Sequence, residues 1–518
     1  MDKKDDIISL IQSLSKSEKR YFKLFVDKNT KGESNHYKKL FDLIERAGTA
    51  EKKVIQNLYR DDNFMRSQYR VYKHLTYKMI LKSLTAYHSE KSIDDQIQES
   101  IRQAKVLFDK NLYTQAAKML EKVKYIASKH EKYPHLLEII RWQKKIIVSS
   151  LIYGMTTEKD IIQLIEEEES SIHKIENISK YWKQNMLIYM VFRTKGVARE
   201  QEDIERYNLK INVPVLKNEE LALSYQAKLN FHFAYATYYG STNKLKEAYT
   251  SSKKILDLME SHLNQIEEDP KQYCVALYNL LYYIKYLKKY EEFFTTIPKL
   301  KAMSKRFPEI DENIRSVILS NAYNLEFGIY IDIGQFEKAA TILAEMEALL
   351  QNKTNSDAMF ELVFNVNRAL LYFGNKDYQK AIFCNNLILN KKKEDLREDQ
   401  YSYAKIFQLI LHFEKGNSEL LPYLVKSCYR YLLQKNKLHK IENTFLLFIR
   451  TKAFHISTKK DQIEAFKALR EELIIASEDS IGARFLEFFD IISWLESKIK
   501  NRSFESILRE KSGYGLEE

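Results

Sequence analysis

Residues 229–259 read LNFHFAYATYYGSTNKLKEAYTSSKKILDLM, two amphipathic runs joined by a short polar turn. Ala236 and Tyr239 are three apart and share a helix face, where a small side chain lets a second helix come close. The turn falls around Gly240 to Lys244, and Leu245, Ala248, Ile255 and Leu256 then form the inward face of a returning helix. One such hairpin cannot bury its own apolar surface. It needs a neighbour stacked on each side, so a repeat is expected.

Ala248, three residues after Leu245, serves as a marker for the second helix. The same offset gives Tyr113 with Ala116, Tyr290 with Phe293, Phe336 with Ala339, Tyr378 with Ala381 and Gln462 with Ala465, and the turn at Gly416 adds a copy marked by Ser418 and Leu421. From 248 onward the spacings are 45, 46, 42, 40 and 44, and the gap from 116 to 248 is 132, three steps of 44. Two weaker copies are therefore expected in that gap. One has a turn at Gly154 to Lys159 before Ile161, Ile162 and Ile165, and the other has Gly196 before a helix around Ile204.

This spacing resembles the tetratricopeptide repeat, which places a small residue and an aromatic in the first helix, then a turn, a second aromatic and an alanine. The small position is met by Ala104, Ala236, Ala369 and Ala453, the next aromatic by Tyr239, Tyr330 and Tyr372, and the turn by Gly334-Gln335-Phe336 and Lys376-Asp377-Tyr378. The period is about ten residues longer than the usual ~34, and the tryptophan that opens the family's first helix is missing. Pro134, Pro270 and Pro308 follow their markers by 18, 22 and 15 residues, where units should close. The expected fold is all-α, a tetratricopeptide-like solenoid of helical hairpins over residues 94–500. A small N-terminal helical domain at 1–93 precedes it, and a C-terminal tail at 501–518 follows.

Composition agrees with that class. A chain of 518 residues is too long for one compact core, and only 12 Gly and 6 Pro interrupt it. The opening MDKKDDIISLIQSL is acidic where a signal peptide is basic, and no run approaches ~18 uninterrupted apolar residues, so a cytoplasmic location and no membrane span are expected. Cys274, Cys384 and Cys428 are far apart and odd in number, which argues for core thiols rather than disulfides or zinc ligands. The sequence contains no phosphate loop, His-Glu-x-x-His, Cys-x-x-Cys or Gly-x-Ser-x-Gly. Catalysis, cofactor and metal are accordingly not expected.

The first 90 residues hold 19 Lys or Arg against 12 Asp or Glu. Ser15 to Glu18 fits a capping box for a helix carrying Tyr21, Phe22, Leu24 and Phe25. Ala47-Gly48-Thr49 separates a following helix from one with Val54, Leu58 and Tyr59, and residues 65–88 then form a basic helix with Arg66, Arg70, Lys73, Lys78 and Lys82. No acidic residue occurs from Asn63 through Ser89. The order is compatible with a helix-turn-helix relative, and equally with a cap on the solenoid.

The tetratricopeptide resemblance implies a groove lined by first helices. Counting back from the markers puts Asn230, Phe233, Thr237, Tyr278, Tyr282, Asn321, Asn324 and Tyr403 there. Asparagines can hold a peptide backbone, and aromatics supply flat apolar contact. The first expectation is a non-catalytic adaptor for a peptide or protein partner. The alternative is a transcriptional regulator whose N-terminal part contacts nucleic acid while the repeats sense a ligand or peptide.

Overall fold

The computed structural model describes residues 6–29, 34–47, 63–88, 92–151, 157–306, 312–350, 358–391, 398–451, 458–477 and 488–514. Among these residues there are 24 α-helices and no strand. The chain forms two compact units, Met1–Ile175 with Glu309–Arg315, and Glu176–Pro308 with Ser316–Glu518. The division falls inside two helices, Glu158–Lys195 and Glu312–Asp332.

The first unit opens with α1 (Asp6–Ser13), α2 (Lys16–Asn29), α3 (Ser34–Ala47) and α4 (Asn63–His88). Ile7, Ile11, Phe22, Val26, Leu40, Phe41, Ile44, Tyr72 and Ile80 bury one cluster between them. The capping box at the start of α2 is formed: the Ser15 amide donates to Glu18 Oε2 at 2.8 Å, and the Glu18 amide donates to Ser15 Oγ at 3.2 Å. The expected Ala47-Gly48-Thr49 turn and the helix around Val54, Leu58 and Tyr59 lie outside the described residues at Gly48 to Tyr59. Stacked helices follow as α5 (Ile93–Asp109), α6 (Tyr113–Lys129), α7 (Tyr133–Leu151) and the start of α8 (Glu158–Lys195).

The second unit continues from the rest of α8 through α9 (Gln201–Ile211), α10 (Tyr225–Ser241), α11 (Leu245–Glu260), the short α12 (Leu263–Glu268), α13 (Pro270–Tyr286) and α14 (Tyr290–Arg306). The next hairpins are α15 (Glu312–Asp332) with α16 (Phe336–Leu350), α17 (Ala358–Gly374) with α18 (Tyr378–Leu389), α19 (Glu398–Glu414) with α20 (Leu421–Gln434), and α21 (Lys440–Thr451) with α22 (Lys459–Ser477). Residues 501–518, set apart above as a tail, contain α24 (Phe504–Ser512), which packs on α23 (Ile491–Ile499).

The turns explain the regular spacing. Asn111, Asn243, Lys288, Gly334, Lys376 and Gly416 all have positive φ, between 56° and 77°, and each stands five residues before a marker. In every one of these turns the amide after the left-handed residue donates to a carbonyl five residues back, as Lys244 does to Tyr239 at 2.8 Å and Gln335 to Tyr330 at 2.8 Å. This is the Schellman closure, which satisfies the last carbonyls of the first helix and fixes where the second begins. The markers Ala116, Ala248, Phe293, Ala339, Ala381 and Leu421 are buried as a result. Gly240, counted within the expected turn, is helical, and Asn243 takes the left-handed position instead.

Two expectations shift. In the 132-residue gap, α8 runs uninterrupted for 38 residues, so it joins what were read as two hairpins. Ile162 and Ile165 on it are exposed rather than inward, while Gly196 does turn the chain with φ 76° before α9. In the last copy, Ala465 is only half-buried and Phe466 faces the core, so the register there moves by one. Ala453, proposed as a small first-helix position, lies outside the described residues.

Candidate partner-binding surface

Helix α13 begins at Pro270, with Asp269 as its cap accepting from the Gln272 amide. Its buried side is Cys274, Leu277, Leu281 and Ile284. Along another side stand Tyr278, Tyr282 and Tyr286, spaced i, i+4, i+8 and all half-buried. The Tyr282 ring lies 4.5 Å from that of Tyr286 and edge-on to Tyr283 at 5.4 Å. Withdrawal from water, and next the neighbouring Tyr282, push the Tyr278 phenol up to about 12, so its hydroxyl stays protonated. Tyr283 reaches across to α10, donating to the Ala236 carbonyl at 3.1 Å beside Gly240. A side chain at Gly240 would collide with that phenol, which is why the glycine sits there.

On the other side of α13, Lys285 Nζ crosses Gly328 to pair with Asp332 at 3.1 Å. Asn324 follows on α15. Its side-chain oxygen accepts from Asn367 Nδ2 at 2.9 Å, and its carbonyl accepts from the same amide at 3.2 Å. The two asparagines therefore bind one helix to the next. Asn230 has a similar role: it accepts from Asn185 Nδ2 at 3.0 Å and donates to the Gln226 carbonyl. Buried amides of this kind are costly unless paired, and here each one pairs across a hairpin boundary.

The eight expected groove residues thus divide. Tyr278 and Tyr282 share a face, with Asn321, Phe233 and Thr237 half-buried on the flanking first helices. Asn230 and Asn324 are buried in inter-helix hydrogen bonds. Tyr403 is stacked on Phe488, with ring centres 5.1 Å apart. Phe488 belongs to the segment that carries α23 and α24 back over the first helices. There Phe489 packs on Phe373 and Phe407, Phe504 packs on Phe373, and Trp494 donates from Nε1 to Glu414 Oε1 at 2.6 Å. Lys498 pairs with the other oxygen of Glu414, and Arg509 donates to the Gly334 carbonyl. Counting from the hairpins missed this cover, because its contacts join residues 80 to 175 positions apart. The aromatic and charged side chains of 488–514 were the only signal of it.

The basic side chains expected on α4 are also placed. Arg70, Lys78 and Lys82 are exposed and Lys73 is half-buried, while the side chain of Arg66 lies outside the described residues. Val71, Leu75 and Leu81 are exposed among them, so the face is mixed rather than purely basic.

One buried ionic cluster lies at the other end of the register. Arg199 Nη1 and Glu442 Oε1 are 2.5 Å apart with both side chains almost wholly buried, and Asp203 accepts from the Arg199 amide. Burial, together with the positive charges of Arg199 and Lys437, pulls the neighbouring His439 down to about 4. The cluster joins the turn after α8 to the first turn of α21, and a paired, buried arginine suits that structural role.

Thiol chemistry is suppressed throughout. All three cysteines are buried and free, and burial pushes Cys274 and Cys428 up to about 12 and raises Cys384. Among the described residues no group of three or more His, Cys, Asp or Glu is placed to hold a metal ion, and no helix is long and apolar enough to cross a membrane. No family model matches the sequence, and no curated protein matches it either.

Proposed function

We propose that the protein is a non-catalytic scaffold that binds a peptide or protein segment along its first helices, centred on Tyr278, Tyr282 and Tyr286, in the manner of the tetratricopeptide-type repeats its spacing resembles. The observation that carries this is internal to the chain. At α19 the same helix face is covered by the chain's own 488–499 segment, whereas the tyrosines of α13 stay half-open. Phe488 lies on Tyr403, three residues before the position that matches Tyr278, and Trp494 lies on Glu414, the position that matches Tyr286. A surface of this construction accepts an aromatic-bearing helical segment at one end, and tyrosines are well suited to do so at the other. The mixed face of α4 also fits protein contact better than phosphate contact, since exposed valine and leucine gain nothing beside a charged backbone.

Selection from a displayed random-peptide library checks the reading. Full-length protein should enrich a family of peptides whose binding falls about tenfold or more in the double variant Tyr282→Ala/Tyr286→Ala, as expected when anchor aromatics are removed. Absence of enrichment, or equal binding by the double variant with an unchanged melting temperature, removes this surface from the function.

A further inference from the structure

From Glu176 onward α8 belongs to the second unit. One side of it is core: Tyr181 and Ile188 are fully buried, and Asn185 is bonded to Asn230. The opposite side is open. Trp182 is 57% exposed, Met190 61% and Tyr189 42%, with the half-buried Met186 between them. The four stand at i, i+4, i+7 and i+8, which makes one stripe just over two turns long. The other two tryptophans are used differently. Trp494 is 1% exposed, and Trp142 is half-buried with its ring edge-on to Phe108. An open tryptophan flanked by tyrosine and methionine is the composition of an interface centre rather than of an ordinary helix surface.

The charge along the stripe's own stretch of chain has one sign. From Asn177 through Arg199 there is no acidic residue. Lys183 stands three residues before Met186, and Arg193 stands three after Met190. Both are exposed, and neither has an ion-pair partner among the described residues. We propose that this stripe docks an acidic amphipathic helix of a partner protein. Leucine-type side chains of that helix would rest on Trp182, Met186, Tyr189 and Met190, and its carboxylates would meet Lys183 and Arg193. The two methionines let the surface adapt to branched or aromatic anchors. A second copy of the chain is a poor occupant, because antiparallel self-pairing on this stripe sets Lys183 of one copy against Arg193 of the other. The stripe shares no residue with the α13 tyrosines, so the two surfaces succeed or fail separately.

Trp182 reports on its own site. Full-length protein is titrated with a synthetic helical peptide of about four turns that carries leucines on one face and glutamates beside them. A second peptide has lysine in place of each glutamate, and vesicles of anionic phospholipid form the third arm. The glutamate peptide should shift tryptophan emission to the blue and saturate, while the lysine peptide should not. Lys183→Glu/Arg193→Glu should weaken the glutamate peptide by about tenfold or more and let the lysine peptide bind. Trp182→Phe should abolish the emission change with modest loss of affinity read by calorimetry, and Tyr282→Ala/Tyr286→Ala should leave the titration unchanged. Equal binding of both peptides, indifference to charge reversal, no saturable binding, or a shift produced by vesicles but not by peptide overturns the proposal.

Discussion

The first helices α13 and α19 occupy corresponding places in hairpins separated by two others, α15/α16 and α17/α18, and they end differently. On α13 the tyrosines at 278, 282 and 286 remain half-buried, held by each other and by Tyr283. On α19 the matching face is finished by the chain itself: Tyr403 is stacked on Phe488, Phe407 is tilted against Phe489, and Glu414 is bound by both Trp494 and Lys498. The same helix face thus yields a core where a segment returns and a surface where none does. Whether an aromatic on this face is core or contact is decided by long-range packing, and the local pattern is silent on it.

The largest expected effect lies at the covered end. Trp494 is 1% exposed, touches Phe413, Phe445 and Phe466, and donates its indole N–H to Glu414. Trp494→Ala leaves a large cavity and removes a charge-assisted hydrogen bond, so a loss of about 3–5 kcal/mol is expected in denaturant unfolding. A loss under about 1 kcal/mol would mean that 488–499 is a loosely held flap and that the contrast between the two helices is one of degree.

A smaller effect is expected at the turns, where the same contrast appears. Gly334 and Gly416 hold equivalent left-handed positions, with φ of 68° and 77°. The register position itself tolerates a side chain, since Asn243, Lys288 and Lys376 occupy it elsewhere. At Gly416 an added Cβ would meet nothing within 4 Å, whereas at Gly334 it would come within 2.6 Å of the Glu505 carbonyl and 2.7 Å of the Arg509 amide in α24. Gly416→Asn should therefore change stability by no more than about 0.5 kcal/mol, and Gly334→Asn should cost about 1–3 kcal/mol and expose 504–514 to protease. Equal melting temperatures for the two variants would dissociate α24 from the turn at Gly334.

These elements also mark what sequence reasoning could reach. The hairpin register was readable because it is set by local chemistry: a Schellman turn fixes the marker five residues on, and Ser15 with Glu18 caps α2 within one turn of helix. That Tyr278 and Tyr282 share a helix face was readable for the same reason, from their i, i+4 spacing. The commitment of Asn324 to Asn367 was not, because a polar residue on a first helix looks the same whether it meets a ligand or the next hairpin. The continuous α8 was also missed. Gly154, read as part of a turn ahead of it, lies outside the described residues, and nothing between Glu158 and Lys195 interrupts the helix, since that stretch contains neither glycine nor proline.

A modest effect is expected at the open face, and it tests the comparison most directly. Tyr282 is half-buried and contacts Tyr283 and Tyr286, so Tyr282→Ala forfeits two aromatic contacts of about 0.5–1.5 kcal/mol each and creates no enclosed cavity. Tyr403→Ala, at the covered helix, removes the stack on Phe488 and opens a seam between α19 and the returning segment. Tyr282→Ala should therefore be the milder of the two in urea unfolding, with a midpoint close to that of the parent and an unchanged slope. If it instead destabilises as much as Trp494→Ala, the α13 tyrosines are core of the same kind as α19, and a partner must be sought on another face.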